Sequence, residues 1–349
     1  MLSFASDYIE GAHPSILEAL AETNLVPQPG YGEDAYCRRA AEKIRLACHA
    51  PDADVFFLSG GTQSNRVVIS ALLGTVEGVI SPATGHINGH EGGAIESSGH
   101  KVLALPHRNG KLDAAALRSY LADFYADRDG YPHTVQPGML YLTHPTEYGT
   151  LYAKEELTDL RQAAEEYRLP VFLDGARLGY ALATPSSDVT LEDLARLTDC
   201  FTIGGTKVGA LLGEAVVFPR GTAPKHFFTH IKQQGALLAK GRVLGLQFDA
   251  LFTDGLYQRI AANAVRQADR IRAALGELRV PLAVPSPTNQ IFPILSNEDA
   301  AALAREVVYT FWEKADEGHA VIRLCTSWAT TDEKTDALIA VLRQVLGGR

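Results

Sequence analysis

Lys207 stands in "FTIGGTKVGALLG", residues 201–213, among small residues directly after an apolar run of strand character. No acidic residue lies within six positions of it on either side. An ammonium group at a rigid strand end, with little solvation and no local counter-ion, is disposed toward a lowered pKa. That is the condition for an amine that acts as a nucleophile or carries a Schiff base. The plain alternative is a lysine that reaches solvent from a tight turn. Other segments bear on the choice.

"SGGTQSN" (59–65) places glycines, then Thr62 and Ser64, at the start of a helical stretch. Exposed backbone N–H groups and hydroxyls at such a point form a phosphate cup, or simply a structural turn. It is no P-loop, since the Lys-Ser/Thr ending is missing. "ATGHINGHEGGAIESSGH" (83–100) carries His86 and His90, with Glu91 next. Their spacing does not match the zincin patterns, which leaves a histidine that stacks on a ligand ring or moves protons as the better functional reading. In "DGARLGY" (174–180), Asp174 ends an apolar run, where an unpaired carboxylate is costly. Its partner is either Arg177, three residues on, or a cationic ligand atom, with Arg177 then free for a ligand carboxylate.

These residues need a frame that brings them together. Seven strand-like runs, at 55–59, 78–81, 101–105, 139–143, 170–174, 200–204 and 214–218, alternate with helical patterns such as 112–125 and 154–167. That alternation predicts an α/β fold: a large domain with a seven-stranded, mostly parallel sheet between helices. Helix-rich sequence at 223–252 and 256–276 leads to short strands and a last helix at about 331–346. The expected division is an N-terminal arm (1–30), a cofactor-binding large domain (31–250) and a smaller α+β C-terminal domain (251–349). In open α/β sheets, ligands bind beyond the carboxyl ends of the strands, and each candidate residue follows a strand. A glycine cup, a histidine, a strand-end aspartate with an arginine and a sequestered lysine together match the needs of pyridoxal 5′-phosphate. In that reading Lys207 forms the Schiff base, Asp174 keeps the pyridine nitrogen protonated and the glycine loop takes the phosphate.

Bulk properties narrow the class further. The chain has 349 residues, is 46% hydrophobic and 21% charged, and carries a net charge of −9, which argues against nucleic-acid and anionic-membrane partners. The opening "MLSFASDYIEG" lacks a basic region and carries Asp7 and Glu10 early, so no signal peptide is expected. Four scattered cysteines without a CxxC pair read as reduced thiols of a cytoplasmic protein.

At this point the sequence resembles the low-specificity L-threonine aldolases, which share the aspartate-aminotransferase-like pyridoxal phosphate fold. The family's "SDT" is similar to Ser6-Asp7-Tyr8, "GDDVYG" to "YGEDAYC" (31–37) and "GTQAN" to Gly61–Asn65. "H…E.GG" resembles His86 through Gly93, "DGAR" stands at 174–177, and "FTICLSKG" is similar to "FTIGGTKVG", its lysine 33 residues after the aspartate. The resemblance implies a Schiff-base role for Lys207, pyridine-nitrogen pairing for Asp174 and ring stacking for His86. It also implies phosphate binding at Gly61 and Thr62, and substrate-carboxylate binding by Ser6, Arg177 and Arg323. His133, in "GYPHTVQPG", falls where the family has a histidine near the substrate hydroxyl. Lys232 matches a family arginine near the active site that reaches a neighbouring subunit. Implied too are a homodimer or homotetramer with sites between subunits, and retro-aldol cleavage of L-threonine or a related L-β-hydroxy-α-amino acid to glycine and an aldehyde. The rivals are a β-eliminating lyase or aminotransferase on the same fold, and a non-catalytic cofactor-binding scaffold.

The sequence also departs from the family. After Arg323, "RLCTSWATT" offers Ser327 and Trp328 where a histidine is common; Arg38-Arg39-Ala40 replace "DPT"; and the proline of the lysine loop is absent. The preferred β-substituent is therefore open. Trp328 either packs against an aromatic substituent or fills the domain core.

Overall fold

The computed structural model describes residues 1–347. Three parallel-sheet strands are predominantly apolar because both their faces are covered: β5 (Gln136–Thr143), β6 (Val171–Asp174) and β7 (Cys200–Gly204). They form the centre of a seven-stranded sheet completed by β2 (Asp54–Leu58), β3 (Glu77–Pro82), β4 (Val102–Leu105) and β8 (Glu214–Phe218); β1 (Leu2–Ser3) lies elsewhere. The order is β2-β8-β7-β6-β5-β3-β4. Only β8 runs antiparallel to its neighbours. The seven expected strands are these seven, and the α/β class holds.

Helices on both faces follow from the expected amphipathic stretches. Asp113 caps the helix Ala114–Ala126 by accepting from the N–H groups of Ala115 and Ala116, and Asp34 caps Ala35–Ala47 in the same way. The helix-rich stretch 223–252 holds two helices, Phe227–Gln233 and Arg242–Leu251. The chain turns between them at Gly235, whose φ of +68° suits glycine.

Beyond the helix Leu256–Glu277 lies a smaller sheet. Its strands are β9 (Gln290–Ile291), β10 (Ile294–Ser296), β12 (Thr310–Lys314) and β13 (His319–Cys325), with β13 pairing to the other three. The strand β11 (Val307–Val308) pairs instead with β1, so the first residues of the chain join the small part of the molecule. Phe4 sits in the small core with Ile322 and Leu324, whereas Ile16 belongs to the large one. The helix Leu256–Glu277 spans both cores: Ile260 and Ala264 in the large, Ile271 and Leu275 in the small. Burying one continuous helix in two cores ties the parts together. The cysteines are free and buried, as a reduced-thiol reading requires. No helix among the described residues is long and apolar enough to cross a membrane.

Candidate active site

Strands β2, β3, β5, β6 and β7 all end at one edge of the large sheet, so the segments that follow them meet there. A cavity of about 570 Å³ opens at this edge, and His86, Arg177, Lys207 and Arg323 line it with Glu147, Tyr148 and Trp312. Asp174 lies beneath its floor, buried at the end of β6.

Asp174 is held by hydrogen bonds and not by a cationic side chain. Its Oδ2 accepts from Asn65 Nδ2 at 2.8 Å and Tyr141 Oη at 2.7 Å, and its Oδ1 accepts from the Ala176 N–H at 2.9 Å. Burial pushes its carboxyl up. The His86 charge, the two side-chain donors and the Lys207 charge outweigh that, so it is held below the usual aspartate range. Tyr141 is the reverse: burial and the Asp174 charge push its phenol well up, so it remains a donor.

The same Asn65 amide also donates to Glu91 Oε1 at 2.7 Å, and that oxygen meets His86 Nδ1 at 2.7 Å. One chain of contacts thus runs from His86 through Glu91 and Asn65 to Asp174 and Tyr141. Burial pulls His86 down, but its bond to Glu91 and the charges of Glu147 and Asp174 raise it above the ordinary histidine value. The His86 and His90 rings meet at a tilt, with centroids 5.7 Å apart. Among the described residues no group of three or more side chains is placed to hold a metal ion.

Arg177 is not the partner of Asp174. Its Nε and Nη2 donate to Asp7 at 2.7 and 3.1 Å, across a separation of 170 residues, and both side chains are buried. Asp7 Oδ2 also accepts from Asn289 Nδ2 at 2.9 Å, so Asp7 clasps the large part of the fold to the small one. Burial raises the Asp7 carboxyl, but Arg177 and Lys207 lower it further, leaving it below the usual range. Its contribution to stability is therefore present above the ordinary aspartate value and lost as pH falls through the depressed folded value. Asp7→Ala leaves a buried guanidinium unpaired and is expected to cost about 3 kcal/mol. Denaturant unfolding at pH 7 measures it, and a loss under about 1 kcal/mol would show that the clasp holds nothing.

Lys207 follows β7 in a turn whose backbone is fixed by the Lys207 carbonyl accepting from Tyr180 Oη. The expectation that it has no counter-ion holds only for its sequence neighbours. Through space its charge acts on Asp7, Asp174 and Glu214, all buried. Glu214, which pairs with Gly204 and Leu58, is pushed up to about 8 by burial and Asp174 against the pull of Lys207.

Arg323, on β13, donates to Gln290 Oε1 and the Ala5 carbonyl, both at 3.1 Å, and lies 5.4 Å over the Trp312 ring. Its Nε, the Ser6 hydroxyl and Gln290 Nε2 are buried without a partner. Orphaned donors beside a cavity mark a place for an acceptor. At the end of β2, the helix Gly61–Leu72 has no side-chain cap, and a Cβ added at Gly60 or Gly61 would meet nothing within 4 Å. Free N–H groups with open space before them suit a phosphate.

The structure therefore brings Ser6, Gly61, Thr62, His86, Asp174, Arg177, Lys207 and Arg323 to one edge. It does not bring His133 there: the residue is exposed in the turn Tyr131–His133 before β5, at the opposite edge of the sheet. Lys232 also lies apart, over the ring of Tyr31 at 5.1 Å. Trp328 misses the cavity and packs on the large core beside His13, with ring centroids 5.7 Å apart. The cavity tryptophan is Trp312. Residue reasoning left Asn65, Glu91, Tyr141, Asp7 and Glu147 without roles. For Tyr141 a signal existed, since a hydroxyl in a fully buried strand needs a partner.

The pattern for "Beta-eliminating lyase" matches residues 3–300. The chain belongs to the beta-eliminating lyase family. Enzymes of this family and fold depend on pyridoxal phosphate. Among its relatives is the low-specificity L-threonine aldolase of Pseudomonas aeruginosa, 32% identical, with 99% of this chain and 98% of the relative aligned. A solved structure of Leishmania major threonine aldolase superposes with a TM-score of 0.95 at 41% identity, covering 99% of this chain and 100% of that one. Aspartate aminotransferase from Thermus thermophilus shares the fold, with a TM-score of 0.72 at 18% identity over 99% of this chain and 92% of that one.

Proposed function

We propose that this beta-eliminating lyase family member is a pyridoxal phosphate-dependent carbon–carbon lyase that cleaves L-threonine or related L-β-hydroxy-α-amino acids to glycine and an aldehyde. The observation that carries this reading is the convergence of Lys207, His86, Arg177 and Arg323 on one cavity, with Asp174 held beneath it by Asn65 and Tyr141. Lys207 is the covalent anchor for the cofactor, Asp174 its charge partner, and the N–H groups around Gly61 and Thr62 the phosphate seat. When bound, the cofactor supplies an electron-withdrawing ring conjugated to the substrate's α-carbon.

The chain's own residues do the rest. Arg323, with the Ser6 hydroxyl and the unshared face of Arg177, binds the substrate carboxylate and fixes which bond at Cα stands ready to break. Because Asp7 occupies one edge of Arg177, Arg323 and Ser6 carry more of this contact than a pair of free arginines would require. His86, oriented by Glu91, covers the ring site from the β3 side. Two copies of the chain at least form the working enzyme. His133 and Lys232, which lie outside the crevice of their own chain, are then available to a neighbour's.

Incubation with L-threonine, L-allo-threonine and L-phenylserine tests the reading. Glycine with the matching aldehyde is expected; a keto acid with ammonia, or no product, would sink it.

Trp312 sets the β-substituent. Its ring stands against Tyr148 at 5.7 Å, His90 at 6.3 Å and the Arg323 guanidinium, forming an aromatic wall beside the carboxylate site. Trp312→Ala is expected to lower kcat/KM for phenylserine several-fold more than for threonine, through about 1 kcal/mol of lost stacking. Trp328→Ala should affect both substrates alike and lower the Tm. Equal losses from Trp312→Ala would remove it from the substituent site.

A further inference from the structure

We propose that Glu147 is the catalytic residue that takes the proton of the substrate's β-hydroxyl as the Cα–Cβ bond breaks. This rests on the aldolase reading above.

Cleavage needs a proton acceptor on the cavity wall that is not already committed. The candidates are few. His86 is committed through its Nδ1 to the Glu91 carboxylate. His133 lies at the far edge of the sheet in its own chain, so a role for it needs the neighbouring copy. Asp174 and Asp7 each accept several hydrogen bonds within the fold. Glu313, on β12 of the small part, accepts from Tyr148 Oη at 3.3 Å. Glu147 alone among the carboxylates lines the cavity with neither a hydrogen bond nor an ion pair among the described residues, while His90 there packs against the His86 and Trp312 rings. Glu147 stands on the cavity wall just after β5, and its charge reaches His86, Arg177 and Tyr141.

The segment that carries it is braced. The Thr146 N–H donates to the Thr150 carbonyl at 2.9 Å, and the two threonine hydroxyls meet at 2.7 Å. Gly149, at φ +68°, closes the turn, and its carbonyl accepts from Ser286 and Thr288 of the small part at 3.1 and 3.0 Å. A carboxylate at the tip of a turn fixed from both sides, yet left without a partner, is placed to meet a substrate group.

The step balances as written. The hydroxyl proton moves to a Glu147 oxygen, and the freed oxygen pair forms the aldehyde carbonyl. The Cα–Cβ bond breaks, its electron pair stays with Cα, and Cα takes a proton from water to give glycine. Glu147 then releases its proton to water. In the reverse direction, Glu147 protonates the aldehyde oxygen as the bond forms.

The test separates the hydroxyl from the rest of the site. Exchange of a glycine α-proton in D2O, followed by NMR, uses the same cofactor and carboxylate contacts but involves no hydroxyl. In the holoenzyme, Glu147→Gln is expected to slow cleavage of L-threonine and L-phenylserine by about 10²-fold or more, while glycine exchange stays within about two-fold. Glu147→Asp, which keeps the acid, should recover part of the cleavage. Cleavage by Glu147→Gln near the wild-type rate overturns the assignment, and so does parallel loss of cleavage and exchange in both variants. Wild-type enzyme that exchanges glycine but cleaves no β-hydroxy amino acid would instead overturn the aldolase reading, and this assignment with it.

Discussion

Lys207→Ala is expected to abolish turnover, by about 10³-fold or more, and to leave a protein that no longer holds its cofactor covalently. The loss has two physical sources. The first is chemical: among the described residues Lys207 is the one lysine that lines the cavity. The second is electrostatic. Lys207 is the cation whose field reaches Asp7, Asp174 and Glu214 together. Without it, Glu214 rises still further above about 8, and the site binds an anionic cofactor with one positive charge fewer. A rate loss of 10³-fold corresponds to about 4 kcal/mol of transition-state stabilisation. Borohydride treatment of wild-type holoenzyme, followed by peptide mass analysis, should place the reduced adduct on the Lys207 peptide. Finding it on another lysine, or finding Lys207→Ala with a tenth of wild-type activity, would refute the assignment of this lysine.

How far the site can be read from the chain depends on whether a residue's role is local. Lys207, Asp174 and His86 each follow directly on an apolar run, and parallel strands must end at a common edge. Their meeting was therefore legible before any coordinates, as was the seven-stranded α/β sheet. Partners were not. Arg177 sits three residues from Asp174, yet its guanidinium turns to Asp7 at the other end of the chain. The sequence separation of 170 leaves no local trace of that choice. The two tryptophans show the same limit. Trp328 lies close after Arg323 in sequence, but β13 ends at Cys325, and the chain beyond it turns onto the large core. Trp312 reaches the cavity because β12 pairs with β13 so that Thr310 lies opposite Arg323, a register that no short window of sequence encodes. For Asn65 and Glu91 the motifs containing them were visible, while their shared task of linking His86 to Asp174 is a property of the packed edge.

Asp174→Asn should reduce kcat by about 10²-fold, equivalent to about 3 kcal/mol of lost transition-state stabilisation, with a smaller effect on substrate binding. Asp174 presents two oxygens to three donors: Asn65, Tyr141 and the Ala176 N–H. An asparagine in its place has one acceptor oxygen. If that oxygen stays with Ala176, the new NH2 group faces two donors; if it turns to Asn65 and Tyr141, the Ala176 N–H loses its acceptor. Either way a buried donor is stranded, and the negative charge proposed to pair with the cofactor is gone. Tyr141→Phe separates these contributions. It removes one donor while the His86 charge and Asn65 still lower the carboxyl, and is expected to cost less than about 10-fold. Should Asp174→Asn and Tyr141→Phe reduce kcat equally, the hydrogen-bond network and not the charge would be what matters at this position. Near-normal kcat in Asp174→Asn, together with a lower Tm, would make Asp174 an anchor for β6 and its neighbours alone.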